Sequence, residues 1–147
     1  MKKLIFIIML LVLSSFVYAH EDHNIDYNKY LNDLSYSKEQ ANNNINHLPS
    51  VGKKLLNNNR ILVHITMNNG EKKDIYGVFS KNKLITLEYG TITDVDLEVS
   101  LSEKDIQDVI NSHNPRATIK SKLNKSINYK VYGTFNKVKV KFLLNFL

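Results

Sequence analysis

Cysteine is absent from all 147 residues. Disulfide frameworks, thiolate metal sites and cysteine nucleophiles are excluded with it. Tryptophan is missing too, and the chain has two prolines and five glycines. So little Pro and Gly excludes collagen-like and linker-like architectures, and stability must come from an apolar core. Eight tyrosines and six phenylalanines supply large side chains for one. Acidic residues are missing from the last quarter: residues 116–147 hold eight Lys or Arg and no Asp or Glu. Such a cationic end suits an anionic surface, or is a solvated lysine face. No nucleophile elbow, phosphate-cradling glycine loop or metalloprotease helix occurs. We therefore expect no catalytic residue, no cofactor, no metal and no enzymatic activity.

The N-terminus is the most legible segment. Lys2 and Lys3 precede an unbroken apolar run, Leu4 to Leu13, and Val17-Tyr18-Ala19 is a small-residue cleavage site. The run is short for a membrane span, which takes about 20 residues. Residues 1–19 read as a signal peptide, with an uncleaved anchor as the alternative, and the protein as secreted or extracytoplasmic. Removing them leaves 128 residues with 18 basic and 14 acidic side chains, net +4. That length is sufficient for one domain.

Residues 20–50 read as a polar tail and helical lead-in, and 51–147 as the domain. Ile25 to Leu34 has the spacing of one helical face, and Ser37 fits a helix N-cap. The Asn42–Asn44 run is poor helix material, and Val51 to Leu56 is a short helix. Ile61, Val63, Ile65 and Met67 alternate with Leu62, His64 and Thr66 as a half-buried strand. The Asn69-Gly70 turn, where both residues accept positive φ, returns the chain as Lys72 to Phe79. Ser80 to Asn82 turns into a third strand, Lys83 to Tyr89. Asp94 to Leu101 alternates most cleanly, with Asp94, Asp96 and Glu98 on one face. Ser102 opens a helix, with Leu101 and Ile106 at hydrophobic-staple positions and Asp105 where a capping box has Glu. Asn114-Pro115 stops it, and Arg116 to Asn124 is a loop with one helical turn. Ile127 to Tyr132 is a fifth strand. Phe135 to Leu147 has both strand and helix spacing; we favour helix, which buries Phe142 to Leu147 on one side.

This order, with Asp94 to Asp105 as an acid-led strand running into a Leu-Ser-acid helix start, resembles the sterol carrier protein 2 family of lipid-binding domains. The hairpin Ile61 to Phe79, the Asn114-Pro115 element before Ala117, and Lys130-Val131-Tyr132-Gly133 carry the rest of the likeness. The resemblance implies an α+β fold with a five-stranded, mostly antiparallel sheet and helices on one side. It also implies that Phe79, Leu87, Val99, Ile110, Val131, Phe142 and Phe146 face a space between the sheet and the last helix.

A cavity so lined would hold an acyl chain or other apolar molecule, each buried methylene contributing about 0.8 kcal/mol; a solid core would use the same residues. The first reading is an exported lipid-binding module that holds its ligand non-covalently. Its alternative is a structural or interaction module with a filled core, docking its basic C-terminal face on anionic lipid or an acidic partner. Lys137, Lys139 and Lys141 are the membrane-surface candidates. A monomer without a nucleic-acid partner is expected. A copper site at His20 to His23 is a distant third reading. Asp94, Asp96 and Glu98 could hold a cation but suit a solvated strand face better, and His64 is expected to be simply exposed. Intact mass of the exported protein should begin at His20; Met1 retained in a membrane fraction would show an anchor instead.

Overall fold

The structure, a computed structural model, describes residues 27–46, 50–123, 125–133 and 137. The leader, His20 to His23, Lys139, Lys141, Phe142 and Phe146 lie outside the described residues. Three helices come first: α1 (Tyr27–Asn32), α2 (Leu34–Asn46) and α3 (Ser50–Leu56). Asp33 separates the first two and caps the second, its carboxylate accepting the Tyr36 N–H at 2.9 Å. Ser37, expected as the cap, lies inside α2 instead. It is buried, and its hydroxyl donates to the Tyr30 carbonyl at 2.6 Å, tying α1 to α2.

The asparagine run is helical despite its poor propensity. Ala41 and Ile45, one turn apart, are both buried in the core. Between them, Asn42 uses its side-chain amide as a strand would use its backbone. It donates to the Leu84 carbonyl at 3.0 Å and accepts the Leu84 N–H at 2.8 Å. Tertiary contacts thus override propensity here. Packing also crosses residue 50, since Leu31, Ala41 and Ile45 share one core with the strands.

The strands are β1 (Arg60–Thr66), β2 (Lys72–Ser80), β3 (Lys83–Tyr89), β4 (Leu97–Ser102) and β5 (Asn128–Val131), in spatial order β3-β2-β1-β4-β5. The β1–β2, β2–β3 and β4–β5 pairs are antiparallel, and β1–β4 is parallel. In the first hairpin Gly70 alone is left-handed, at φ +85°, and closes a longer loop through its N–H to the Met67 carbonyl. The tight primed turn lies in the second hairpin, where Lys81 and Asn82 have φ +50° and +61°.

Strand β4 begins at Leu97, later than the alternation suggests. Asp94 takes φ +56°, and the Asp96 carboxylate accepts the Arg60 backbone N–H at 2.8 Å. Asp96 N–H returns a bond to the Arg60 carbonyl, and the Arg60 guanidinium donates to the Thr93 carbonyl. The acids are used to fasten the crossover to the start of β1.

Two helices connect β4 to β5: α4 (Glu103–Ile110) and α5 (Pro115–Lys122). Asn114-Pro115 starts α5 rather than only ending α4: the Asn114 side chain accepts the Ala117 N–H, and Pro115 stands in the first turn. The capping box of α4 is complete with Asp in place of Glu. Ser102 N–H reaches Asp105 Oδ2 at 2.9 Å, and Asp105 N–H reaches the Ser102 hydroxyl at 3.1 Å. The staple residues Leu101 and Ile106 are both buried.

Asp105 is itself buried, and it joins three segments. Its carboxylate also accepts the hydroxyls of Ser102 and Ser126 at 2.7 and 2.6 Å, and the Lys122 ammonium at 2.9 Å. Burial opposes its charge, but bonds from Ser126, Ser102 and Lys122 prevail and hold the carboxyl down to about 2. Lys122 is shared with Asp108 at 2.7 Å.

Two expectations follow. Asn42→Ala strips partners from both backbone groups of Leu84 and should cost about 1–3 kcal/mol in urea unfolding. Asp105→Ala removes the α4 cap's carboxylate and one of the two partners of Lys122, which keeps Asp108, and should cost about 1–3 kcal/mol. With a depressed folded pKa, the stabilisation from Asp105 is complete above the unfolded value of 3.8 and fades as pH falls toward about 2. The variant's acid-unfolding curve should lack that component.

Candidate functional site

Alternation divides the sheet into two unlike faces. The inner face, toward the helices, carries Ile61, Val63 and Ile65 on β1 and Leu97, Val99 and Leu101 on β4. Phe79 and Ile75 on β2 and Leu84 on β3 extend it, and Ile106, Val109 and Ile119 of α4 and α5 cover it. Gly77 lies on the same face, where a Cβ would meet Leu84 Cδ1 at 3.1 Å. The small residue admits the leucine.

Five of the seven proposed ligand residues are described, and they differ in access. Phe79 and Val99 are 3% and 1% exposed and belong to the packed core. Leu87, Ile110 and Val131 are half-buried at its margins. They do not form one compact cluster. Leu87 on β3 and Val131 on β5 sit at opposite edges, four strand spacings or about 19 Å apart. Val131 does pair directly with Leu97, and its neighbour Tyr129 with Val99.

What lies between the two edges was missed from the sequence. Val63 stands on central β1, flanked by buried Ile75 and Val99 in register, yet it stays half-buried. Met67 and Tyr129 share that status. The alternation of Ile61, Val63 and Ile65 marked this face, but nothing in it distinguishes a sealed valine from an accessible one. A half-buried apolar floor in mid-sheet can contact an apolar molecule without offering it any reactive group.

The outer face carries polar and charged groups around a buried Leu62. His64 is not simply exposed: its Nδ1 lies 2.6 Å from Asp74 Oδ1 and its Nε2 3.1 Å from Glu98 Oε1. Tyr132 donates its hydroxyl to the other Glu98 oxygen, and Tyr76 donates to Glu88 at 2.6 Å. The hydrogen bond from Tyr132 is the largest influence holding the Glu98 carboxyl below its usual range. A cation site at Asp94, Asp96 and Glu98 is not formed, because the first two precede β4 and face Arg60 while Glu98 faces His64. Among the described residues no cluster of His, Asp and Glu has the geometry to hold a metal ion. Nor is any helix there long and apolar enough to cross a membrane. Lys137 is exposed, and its N–H reaches the Gly133 carbonyl at 3.2 Å, a bond of helical spacing.

A mixed five-stranded sheet in this order, backed by helices on one face, defines an α+β domain of the sterol carrier protein 2 type. Comparison with solved structures bears out that fold. The chain is similar to a "UbiJ-SCP2 Ubiquinone synthesis protein", with a TM-score of 0.50, 14% identity, and coverage of 76% of this chain and 92% of that one. Two others are sterol carrier protein 2-like 2 from Aedes aegypti and sterol carrier protein 2 from Yarrowia lipolytica. The first has a TM-score of 0.45, 8% identity, and coverage of 95% of this chain and 96% of that one. The second has a TM-score of 0.40, 12% identity, and coverage of 71% of this chain and 83% of that one. No family model and no curated protein matches the sequence.

Proposed function

We propose that this protein is an exported lipid-binding module that holds an apolar ligand non-covalently on the inner face of its sheet. The observation that carries the reading is Val63, an apolar side chain at the centre of the helix-backed face that remains half-buried. Leu87, Ile110 and Val131 continue that partly accessible apolar surface toward both edges. A span of about 19 Å suits an extended chain better than a compact ring. The fold supports the reading as well, since one similar solved structure is named for ubiquinone synthesis. In this account the C-terminal segment closes over the ligand through Phe142 and Phe146, while Lys137, Lys139 and Lys141 approach an anionic membrane. The chemistry is sequestration and transfer, and no bond is made or broken.

A filled-core interaction module is the second reading, favoured by the complete burial of Phe79 and Val99. Native mass spectrometry of the protein purified from its host separates the two. A co-purified apolar molecule supports the first, and bare protein that also fails to bind a fluorescent fatty acid refutes it. For a binding-competent protein, replacing Phe142 and Phe146 together with Ala should weaken the fatty acid at least tenfold. Replacing the three lysines with Ala should leave fatty-acid affinity nearly unchanged and weaken anionic vesicle binding, by up to about 1 kcal/mol per charge at low salt.

A further inference from the structure

The outer face of the sheet is organised around His64. The register sets this residue on β1 opposite Asp74 of β2 and beside Ser100 of β4. Each ring nitrogen meets a different carboxylate, Nδ1 with Asp74 at 2.6 Å and Nε2 with Glu98 at 3.1 Å. A neutral imidazole has one N–H and one lone pair. It can donate to either acid, and then turns its lone pair on the other. The imidazolium donates to both. The three side chains are 32%, 35% and 27% exposed, so water competes with these bonds only in part.

The other groups on this face leave the arrangement dependent on that proton. From β2 come Lys72 and Tyr76, from β3 Glu88, from β4 Ser100 and Ser102, and from the β5 end Lys130 and Tyr132. Tyr76 is engaged by Glu88, Lys72 lies opposite Thr66, and Lys130 lies opposite Glu98. Arg60, on the same face of β1, is engaged by Asp94 and the Thr93 carbonyl. Asp74 and Glu98 are thus the two carboxylates that meet the ring, and its protonation gives each of them a donor.

We propose that His64 is a proton-operated clasp: in acid it ties the central strand to both neighbours, and as pH rises it releases one of them. The reading stands apart from lipid binding, because it concerns the opposite face of the sheet. Burial alone would push the imidazole down, but the hydrogen bonds and charges of Asp74 and then Glu98 raise it above 6.5 overall. With a raised folded pKa, the clasp contributes fully below the unfolded value of 6.5 and is lost as pH climbs through the folded one. Each unit of difference is a tenfold change in the folding equilibrium.

The test compares the protein as the cell produces it with His64→Gln, by urea unfolding at pH 5.5 and 8.5. The folding constant of the wild type should fall several-fold more across this interval than that of the variant, whose side chain does not titrate. In parallel, the NMR titration of the His64 ring in the wild type should have its midpoint above 6.5, and Asp74→Asn should lower it. A midpoint at or below 6.5 overturns the proposal whether or not the glutamine variant folds. Equal pH dependence of the two proteins overturns it as well.

Discussion

The parallel pairing of β4 with β1 is the constraint on which the rest of the structure depends. Parallel neighbours cannot be joined by a tight turn, so the β2–β3 hairpin occupies one side of β1 and the chain must return to the other. The return is fixed where it begins: Arg60 and Asp96 exchange bonds at the head of both strands. From there the register aligns Ile61, Val63 and Ile65 with Leu97, Val99 and Leu101. That alignment builds the inner apolar floor. It also brings Glu98 beside β1, where it reaches His64.

With no cysteine to cross-link it, the domain is held by apolar packing and a few buried polar contacts. Asp105 carries the most of these, since one carboxylate serves the cap of α4, Lys122 of α5 and Ser126 before β5. The buried acid thereby ties the chain entering β5 to both helices. Asn42 does comparable service at the other edge, where α2 meets β3. Asn42 gives partners to the backbone of Leu84, and Asp105 gives them to the α4 cap, to Ser126 and, together with Asp108, to Lys122.

The strands were legible because period-two alternation and turn residues are local signals, and the Leu101–Ile106 staple located α4 for the same reason. The helical role of Asn42 was not legible, because the partners that reward it lie on β3, far along the chain. Asp94 and Asp96 read as strand residues since alternation does not reveal which acids will be diverted to Arg60. Of the candidate site, the apolar face could be read, and Leu87, Ile110 and Val131 do border the core. Exposure within that face could not, so buried Phe79 and Val99 were grouped with accessible neighbours while Val63 was passed over. His64 was placed on the correct side of its strand. Its two carboxylates come from β2 and β4, and only the sheet order unites them.

The central claim is that the sheet offers its helix-backed face, and not its polar one, to an apolar ligand. Methyl and backbone NMR spectra recorded while a fatty acid is added test this most directly. The account predicts shifts at Val63, Leu87, Ile110 and Val131, with Thr66, Ser100 and the His64 ring unmoved. Shifts confined to the polar face, or none at ligand saturation, would contradict it.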